Sequence, residues 1–263
     1  MRAFVLDKSK VKRSFSAACA SYDAVAELQR TVGKDLLTRI ETGSLTGTVL
    51  DIGCGTGFLT AELLAWPGSK YMLALDIALP MLQTTRKKLA EANNVMYLCA
   101  DAESLPVASH IADYVFSNLA LQWCENLEEV FTDIKRTLKP GRQLVCSTFG
   151  PHTLQELKSA WAEVDGYSHV NEFYSQEQIG CFLERAGFCQ IKIESKMHRP
   201  AYDSVLALMK ELKHIGAHNV TAGRNRSITT KAQMQGMITA YEAYRFQGLI
   251  PATFEVIIIT AQA

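Results

Sequence analysis

Three aspartates, Asp51, Asp76 and Asp101, each sit at the end of an apolar run, in TVLD, YMLALD and VMYLCAD. Gly53, Gly55 and Gly57 follow the first of them at alternate positions. Glycines spaced in this way remove the side chains that would hold a ligand off the backbone, and they allow positive φ, so that main-chain amides can meet a nucleotide-like ligand. The dinucleotide fingerprint G-x-G-x-x-G places its third glycine three residues after the second, but position 58 is Phe and the third glycine arrives one residue early. A carboxylate directly after the first strand would face the pyrophosphate of a dinucleotide unfavourably, whereas it would attract a cationic amino group. Asp76, one βα unit later, stands where a carboxylate can accept both ribose hydroxyls of a nucleoside. Asp101, with the Ala102 backbone beside it, suits the donor amine of adenine.

These acids converge only if the runs that carry them are neighbouring parallel strands, because ligands in open α/β sheets gather at the carboxyl ends of strands. The pattern supports that arrangement. Phe58 to Ala65 reads as a helix stopped by Trp66-Pro67-Gly68, and a second helix opens at Leu79 with Pro80 in its first turn. ADYVFSNLALQW predicts a fourth strand ending near Asn118. A helix through Leu127, Val130, Ile134 and Leu138 then stops at Lys139-Pro140-Gly141 and leads into QLVCSTF, a fifth strand. Upstream, Phe15 to about Thr42 has helical spacing with a possible break at Gly33, and Phe15 and Tyr22 are candidates to cover the ligand. Later come an amphipathic helix, SQEQIGCFLERAGF, a strand, QIKIES, and after a long intervening segment the last strand, TFEVIIITA. The fold class is α/β, with a seven-stranded, mostly parallel sheet, one antiparallel edge strand and helical lid insertions.

The 263 residues carry 27 basic and 27 acidic side chains, so overall charge points to neither nucleic acid nor an acidic bulk surface as partner. Seven cysteines without a C-x-x-C pair fit neither a disulfide framework nor a zinc site, which makes a reducing cytoplasm the expected location and a metal unexpected. No run nears membrane-spanning length. We expect one domain over 1–263: a helical lid (1–44), a ligand-binding core (45–150), helices and a strand (151–199), a substrate-side insertion (200–250) and the last strand (252–263).

DIGCGTG resembles motif I of the class I S-adenosylmethionine-dependent methyltransferases, a Rossmann-like group whose ligand carries an ammonium and a sulfonium. FSAACASYDAVAELQR, DAESLP, SNLALQWC and above all LKHIGAHNVTAGR extend the resemblance along essentially the whole chain. Together they resemble the malonyl-acyl-carrier-protein O-methyltransferases of biotin synthesis. Motif I is common to many methyltransferases, whereas the last two stretches are far more specific. The resemblance implies S-adenosyl-L-methionine as cofactor and, as reaction, methylation of the free carboxylate of a malonyl thioester. It places Asp51, Gly53, Gly55 and Gly57 at the methionine moiety, Asp76 at ribose, Asp101 and Ala102 at adenine, and Asn118 and Leu119 near the sulfur, and it counts Cys54, a small residue in the turn, and Ile77 among the cofactor-binding residues. Tyr22 would close the site.

An ionised carboxylate attacks without a general base, but the site needs a cation to hold it, preferably the planar fork of Arg. Residues 201–250 hold six basic side chains (Lys210, Lys213, Arg224, Arg226, Lys231, Arg245) against three acids, a local net of +3. Arg224, with His218 in the same specific stretch, is expected to bind the malonyl carboxylate; the remaining basic residues, with Lys8, Lys10, Lys12 and Arg13, are expected to meet an acidic carrier protein. The expected partner is malonyl-acyl carrier protein or malonyl-coenzyme A, acted on by a monomer without nucleic acid or membrane. Two alternatives remain open at this level: a methyltransferase of another small carboxylate or a quinone-type acceptor, and a cofactor-binding partner subunit without catalysis.

Overall fold

Apolar runs too short for helices and bounded by turn residues become the parallel strands of one sheet. In the computed structural model, which describes residues 6–40, 45–68, 70–217, 219 and 229–263, these are β1 (Gly47–Ile52), β2 (Lys70–Asp76), β3 (Val95–Cys99), β4 (Ala112–Asn118) and β5 (Leu138–Phe149). Two more strands complete the sheet, β6 (Cys189–His198) and, after a two-residue pair β7 (Ala201–Tyr202) and β8 (Ile250–Pro251), the last strand β9 (Phe254–Gln262). The order across the sheet is β3-β2-β1-β4-β5-β9-β6, with β9 antiparallel to both of its neighbours.

The antiparallel strand therefore lies one place in from the edge, and not at the edge as expected from the sequence. The reason is burial. Seven of the first eight residues of β9 are buried, a run that needs cover on both faces, whereas β6 contains no buried residue and alternates between exposed and intermediate along much of its length. The last strand takes the protected slot, and the half-polar β6 takes the edge.

Helices cover both faces. On one side lie α3 (Glu27–Leu37), α4 (Phe58–Ala65) and α5 (Leu79–Lys88), preceded in the chain by α1 (Lys8–Ala18) and α2 (Tyr22–Val25). Leu36, Leu59 and Leu63 from this layer pack on Val49, Met72 and Phe116. On the other side, α6 (Leu127–Thr137) and α8 (Gln176–Arg185) put Phe131, Ile134, Ile179 and Leu183 against Leu50, Leu75 and Val115. A third cluster, away from the parallel strands, joins α7 (Gln155–Ala162), α9 (Val205–His214) and α10 (Lys231–Tyr241) around Trp161, Leu208, Tyr241 and Ile250. The long insertion thus has its own apolar core beside the end of the sheet.

The N-terminal helix breaks at Cys19–Ser21 and at Ala26, while Gly33 sits inside α3. A Cβ at Gly33 would lie 3.1 Å from both Phe58 and the Asn118 amide. Gly33 is therefore a close-approach residue that lets α3 press onto the β4 end, and not a helix breaker.

Candidate active site

β1 and β2 end side by side, with Asp51 opposite Ala74 in register, and the glycine turn folds over that edge. The amides of Gly53 and Cys54 both donate to the Leu75 carbonyl, at 2.7 and 2.9 Å, which pins the turn to β2. Gly53, Gly55 and Gly57 all have positive φ. At Gly53 a Cβ would fall 2.2 Å from the Ala120 side chain, but at Gly55 it would meet nothing within 4 Å. Gly55 is the residue that keeps space open for a ligand.

Asp51 is 1 % exposed; one carboxylate oxygen accepts from Thr60 Oγ1 at 2.6 Å and the other, Oδ1, is buried without a partner among the described residues. Burial, with the nearby Asp76 carboxylate, outweighs the Thr60 hydrogen bond and pushes its pKa up to about 7. A buried orphan acceptor of this kind is complementary to an ammonium group, which would satisfy it and hold it ionised. Asp76 accepts from the Gly55 amide at 2.9 Å and the Ala78 amide at 2.7 Å, one on each oxygen, and burial raises its pKa to about 6. Each oxygen keeps a second lone pair for a hydroxyl donor.

The residues singled out from the sequence line two adjoining cavities. Asp51, Gly53, Cys54, Gly55, Gly57 and Asn118 border one of about 330 Å³ together with Gln29 and Arg30. Asp76, Ile77, Asp101, Ala102 and Leu119 border the other, which shares Tyr22, Gly53, Gly55 and Asn118 with the first. Tyr22 thus faces both; burial, with Asp76 next in effect, raises the pKa of its phenol, so it stays neutral at physiological pH. Asn118 donates to the Gln29 carbonyl at 2.8 Å and accepts from Ser147 Oγ at 3.1 Å, which ties the lid helix to the β4 end. Leu119 holds a φ of +48°, an uncommon conformation for Leu, with its amide on Ser147. Cys54 lies buried in the turn, and burial raises its thiol pKa well above the ordinary range, which removes it as a nucleophile. His218 and Arg224 lie outside the described residues.

The N-terminal basic cluster is placed differently from the sequence expectation. Lys8 points into the second cavity, where its ammonium pairs with Asp101 at 3.0 Å and Glu103 at 2.8 Å. Burial opposes its charge, but the Cys124 sulfur and these two carboxylates outweigh it and raise its pKa. Lys10 pairs with Asp7. The lid is further clasped by Asp23, which accepts from Thr56 Oγ1 and pairs with Lys88, each at 2.6 Å. Gln29, Arg30 and Lys8 also line these cavities, and the sequence does not single them out for that place. Gln29 follows Tyr22 by seven residues, a helical repeat that could have flagged it, whereas nothing in the sequence signals Lys8.

A cleft of about 740 Å³ opens next to these cavities, sharing Trp123 with one and Gln29 with the other. Its walls are mixed: Leu157, Phe149, Phe173 and Phe254 form an apolar side, Glu27, Gln29, His198 and Arg199 add polar groups, and α9 with its C-cap closes one side through Glu211, Leu212 and Ile215. From the stretch that holds His218 and Arg224, Ala217 and Asn219 also line the cleft, and Asn219 donates to the Ser168 carbonyl at 2.6 Å.

Strand-end acids around an open glycine turn, a β3-β2-β1-β4-β5 parallel run and one antiparallel strand beside β5 define a class I methyltransferase. The family model described as a methyltransferase domain matches residues 50–146. Phosphoethanolamine N-methyltransferase 2 of Haemonchus contortus, solved with S-adenosyl-L-methionine, has the same fold at a TM-score of 0.59, with 16% identity over 94% of this chain and 57% of that one. Among curated proteins, the malonyl-acyl-carrier-protein O-methyltransferase of Methylovorus is 40% identical over 262 residues, covering 97% of this chain and 88% of that protein. The biotin biosynthesis bifunctional protein BioHC of Cellvibrio japonicus is 39% identical over 97% of this chain and 50% of its own length. The chain belongs to the malonyl-acyl-carrier-protein O-methyltransferase family.

Proposed function

We propose that this chain transfers the methyl group of S-adenosyl-L-methionine to the free carboxylate of malonyl-acyl carrier protein, as a step of biotin synthesis. The observation that carries the cofactor assignment is the buried, unpartnered Oδ1 of Asp51 beside the open space at Gly55. The cofactor, when bound, supplies an electrophilic methyl on a sulfonium. Asp51 takes its ammonium, Asp76 its ribose hydroxyls, and Ile77, Asp101 and Ala102 the adenosine end, with Gly53, Cys54 and Gly57 shaping the turn. Asn118, Leu119 and Tyr22 border the path from the cofactor cavities to the cleft.

The acceptor is anionic at neutral pH, so no side chain has to remove a proton. Attack of a carboxylate on a sulfonium cancels two opposite charges. The apolar wall of Phe149, Phe173 and Phe254 favours that change by excluding water. Holding the two reactants in line converts a bimolecular step into a unimolecular one, worth up to about 7–11 kcal/mol. Tyr22 closes the site from the lid, and His218 and Arg224 act on the acceptor side.

For the carrier protein, α9 is the favoured contact. Lys210 and Lys213 are exposed on the helix whose Glu211 and Leu212 line the cleft, and neither belongs to an ion pair among the described residues. Coenzyme A in place of carrier protein would remove their contribution. The reading also takes the chain as one methyltransferase domain working as a cytoplasmic monomer without nucleic acid; no helix among the described residues is long and apolar enough to cross a membrane.

Incubation with labelled cofactor and malonyl-acyl carrier protein should yield the malonyl methyl ester, identified by mass spectrometry; wild-type protein that makes no ester overturns the assignment. Arg224→Ala should raise KM for the malonyl thioester about tenfold or more and leave S-adenosylhomocysteine affinity unchanged. Unchanged kinetics would remove Arg224 from the site.

A further inference from the structure

A carboxylate acceptor needs a cation whose charge has not already been spent. Among the described residues lining the acceptor cleft, the basic ones are His169, His198 and Arg199. His169 stacks on Trp161, with 3.7 Å between ring centroids, and bonds to Asp165 at 2.8 Å, so its imidazole is committed. His198 is held neutral at physiological pH, chiefly by burial, which lowers its pKa. Arg199 is exposed and has no hydrogen-bond or ion-pair partner among the described residues.

Its backbone, by contrast, is fixed on both sides. His198 before it pairs with Phe254 across the β6–β9 ladder, and Ala201 after it pairs with Pro251 across the β7–β8 ladder. Between these, the Pro200 carbonyl accepts from the Ala252 amide at 3.0 Å. Pro200 itself disfavours helical backbone at Arg199. The result is a guanidinium with a rigid root and a head that no described residue engages, lining a cleft whose apolar side is Phe149, Phe173 and Phe254.

We infer that Arg199 is the anchor for the acceptor's free carboxylate, a role that rests on the acceptor reading given above. The fork engages the carboxylate from the solvent side, leaving one oxygen to attack the methyl. Solvent exposure suits this task. The reaction removes the negative charge, so a cation gripping the carboxylate tightly in a dry site would stabilise the bound substrate more than the transition state. A solvated arginine concentrates and orients the acceptor at little cost to the chemical step. Once the neutral ester forms, the ion pair is gone and nothing at Arg199 retains the product. A carboxylate has lone pairs for more than one donor, so the role proposed above for Arg224 is tested separately and the expectation for Arg199 holds with Arg224 intact.

The test uses malonyl-pantetheine, which carries the carboxylate but no protein surface, alongside malonyl-acyl carrier protein. R199A should raise KM for malonyl-pantetheine about three- to tenfold, the upper end of what an exposed but bidentate pair contributes, while kcat stays within about twofold of wild type and S-adenosylhomocysteine affinity is unchanged. R199K should recover part of the loss. The ester product should inhibit wild type much less than malonyl-pantetheine binds it, and R199A should lose that preference. Wild-type turnover with an R199A KM equal to wild type overturns the role of Arg199 alone, as does a defect confined to the carrier-linked substrate, which would mark a docking residue. Failure of the wild-type protein to methylate either thioester overturns the acceptor reading and this inference together.

Discussion

The two halves of the site are built in opposite ways. The cofactor side is assembled from the carboxyl ends of four adjacent strands, and its main residues fall between Asp51 and Leu119, each on or just past a strand end. The cleft proposed for the acceptor draws on residues from Ala24 to Phe254, contributed by the lid, α7, the β6–β7 link and α9. On the first side, a polar group is held by backbone amides one turn away, as Asp76 is by Gly55 and Ala78. On the second, the walls are side chains brought together by the third apolar cluster. A site made of strand ends is a property of the sheet; a site made of insertions is a property of how they pack.

The largest expected effect would break this contrast at Gly55. A Cβ there meets no described protein atom within 4 Å, so Gly55→Val should cost the fold about 1–2 kcal/mol for the left-handed backbone, seen as a modest drop in Tm. The same side chain fills the ligand's space, and S-adenosylhomocysteine affinity measured by calorimetry should fall more than a hundredfold. Equal losses of folding and binding would show that the turn is structural and not a cradle.

A smaller effect should follow pH. Asp51 is protonated up to about pH 7 in the free protein, above the ordinary carboxylate range. The sign for stability is that its burial is tolerated at low pH and costs increasingly as pH rises from about 4 to 7. The sign for binding is the reverse. A ligand ammonium needs the carboxylate, so S-adenosylhomocysteine should bind more weakly as pH falls below about 7, by at most tenfold per unit, with proton release on binding. Calorimetry in buffers of different ionisation enthalpy measures that release. Affinity flat between pH 5 and 8 would separate Asp51 from the ammonium.

The smallest concerns the clasp between the lid and the core. Lys88 and Asp23 are each about half exposed, and such pairs contribute about 0.2–1 kcal/mol. Lys88→Ala should speed S-adenosylhomocysteine release by no more than about fivefold in stopped-flow, because Thr56 still holds Asp23. A larger change would make the clasp, and not Tyr22, the principal closure of the site.

The sequence made the cofactor half legible because its signals are local. An apolar run, an acid and a turn residue within ten positions identify a strand end, and parallel strand ends meet whatever follows them. The same local reading misassigned features whose meaning lies elsewhere in the chain. Gly33 reads as a helix break until Phe58 and Asn118 are seen against it. Lys8 reads as surface charge until α1 carries it to Asp101 and Glu103. The place of β9 was readable in hindsight, since FEVIIITA has no polar face to show to solvent and QIKIES does.

By itself, then, the sequence determined the strand-turn-helix periodicity, the three strand-end carboxylates and the glycine turn, and through its specific stretches the family. It took the packed chain to show that, among the described residues, Arg199 has no partner where it lines the cleft, that Lys8 is spent on Asp101 and Glu103, and that one oxygen of Asp51 is buried without a donor. Periodicity and turn chemistry act over a few residues and are written in neighbouring letters. Pairing of charges and desolvation depend on which distant segments pack together, and no short stretch of chain contains that information.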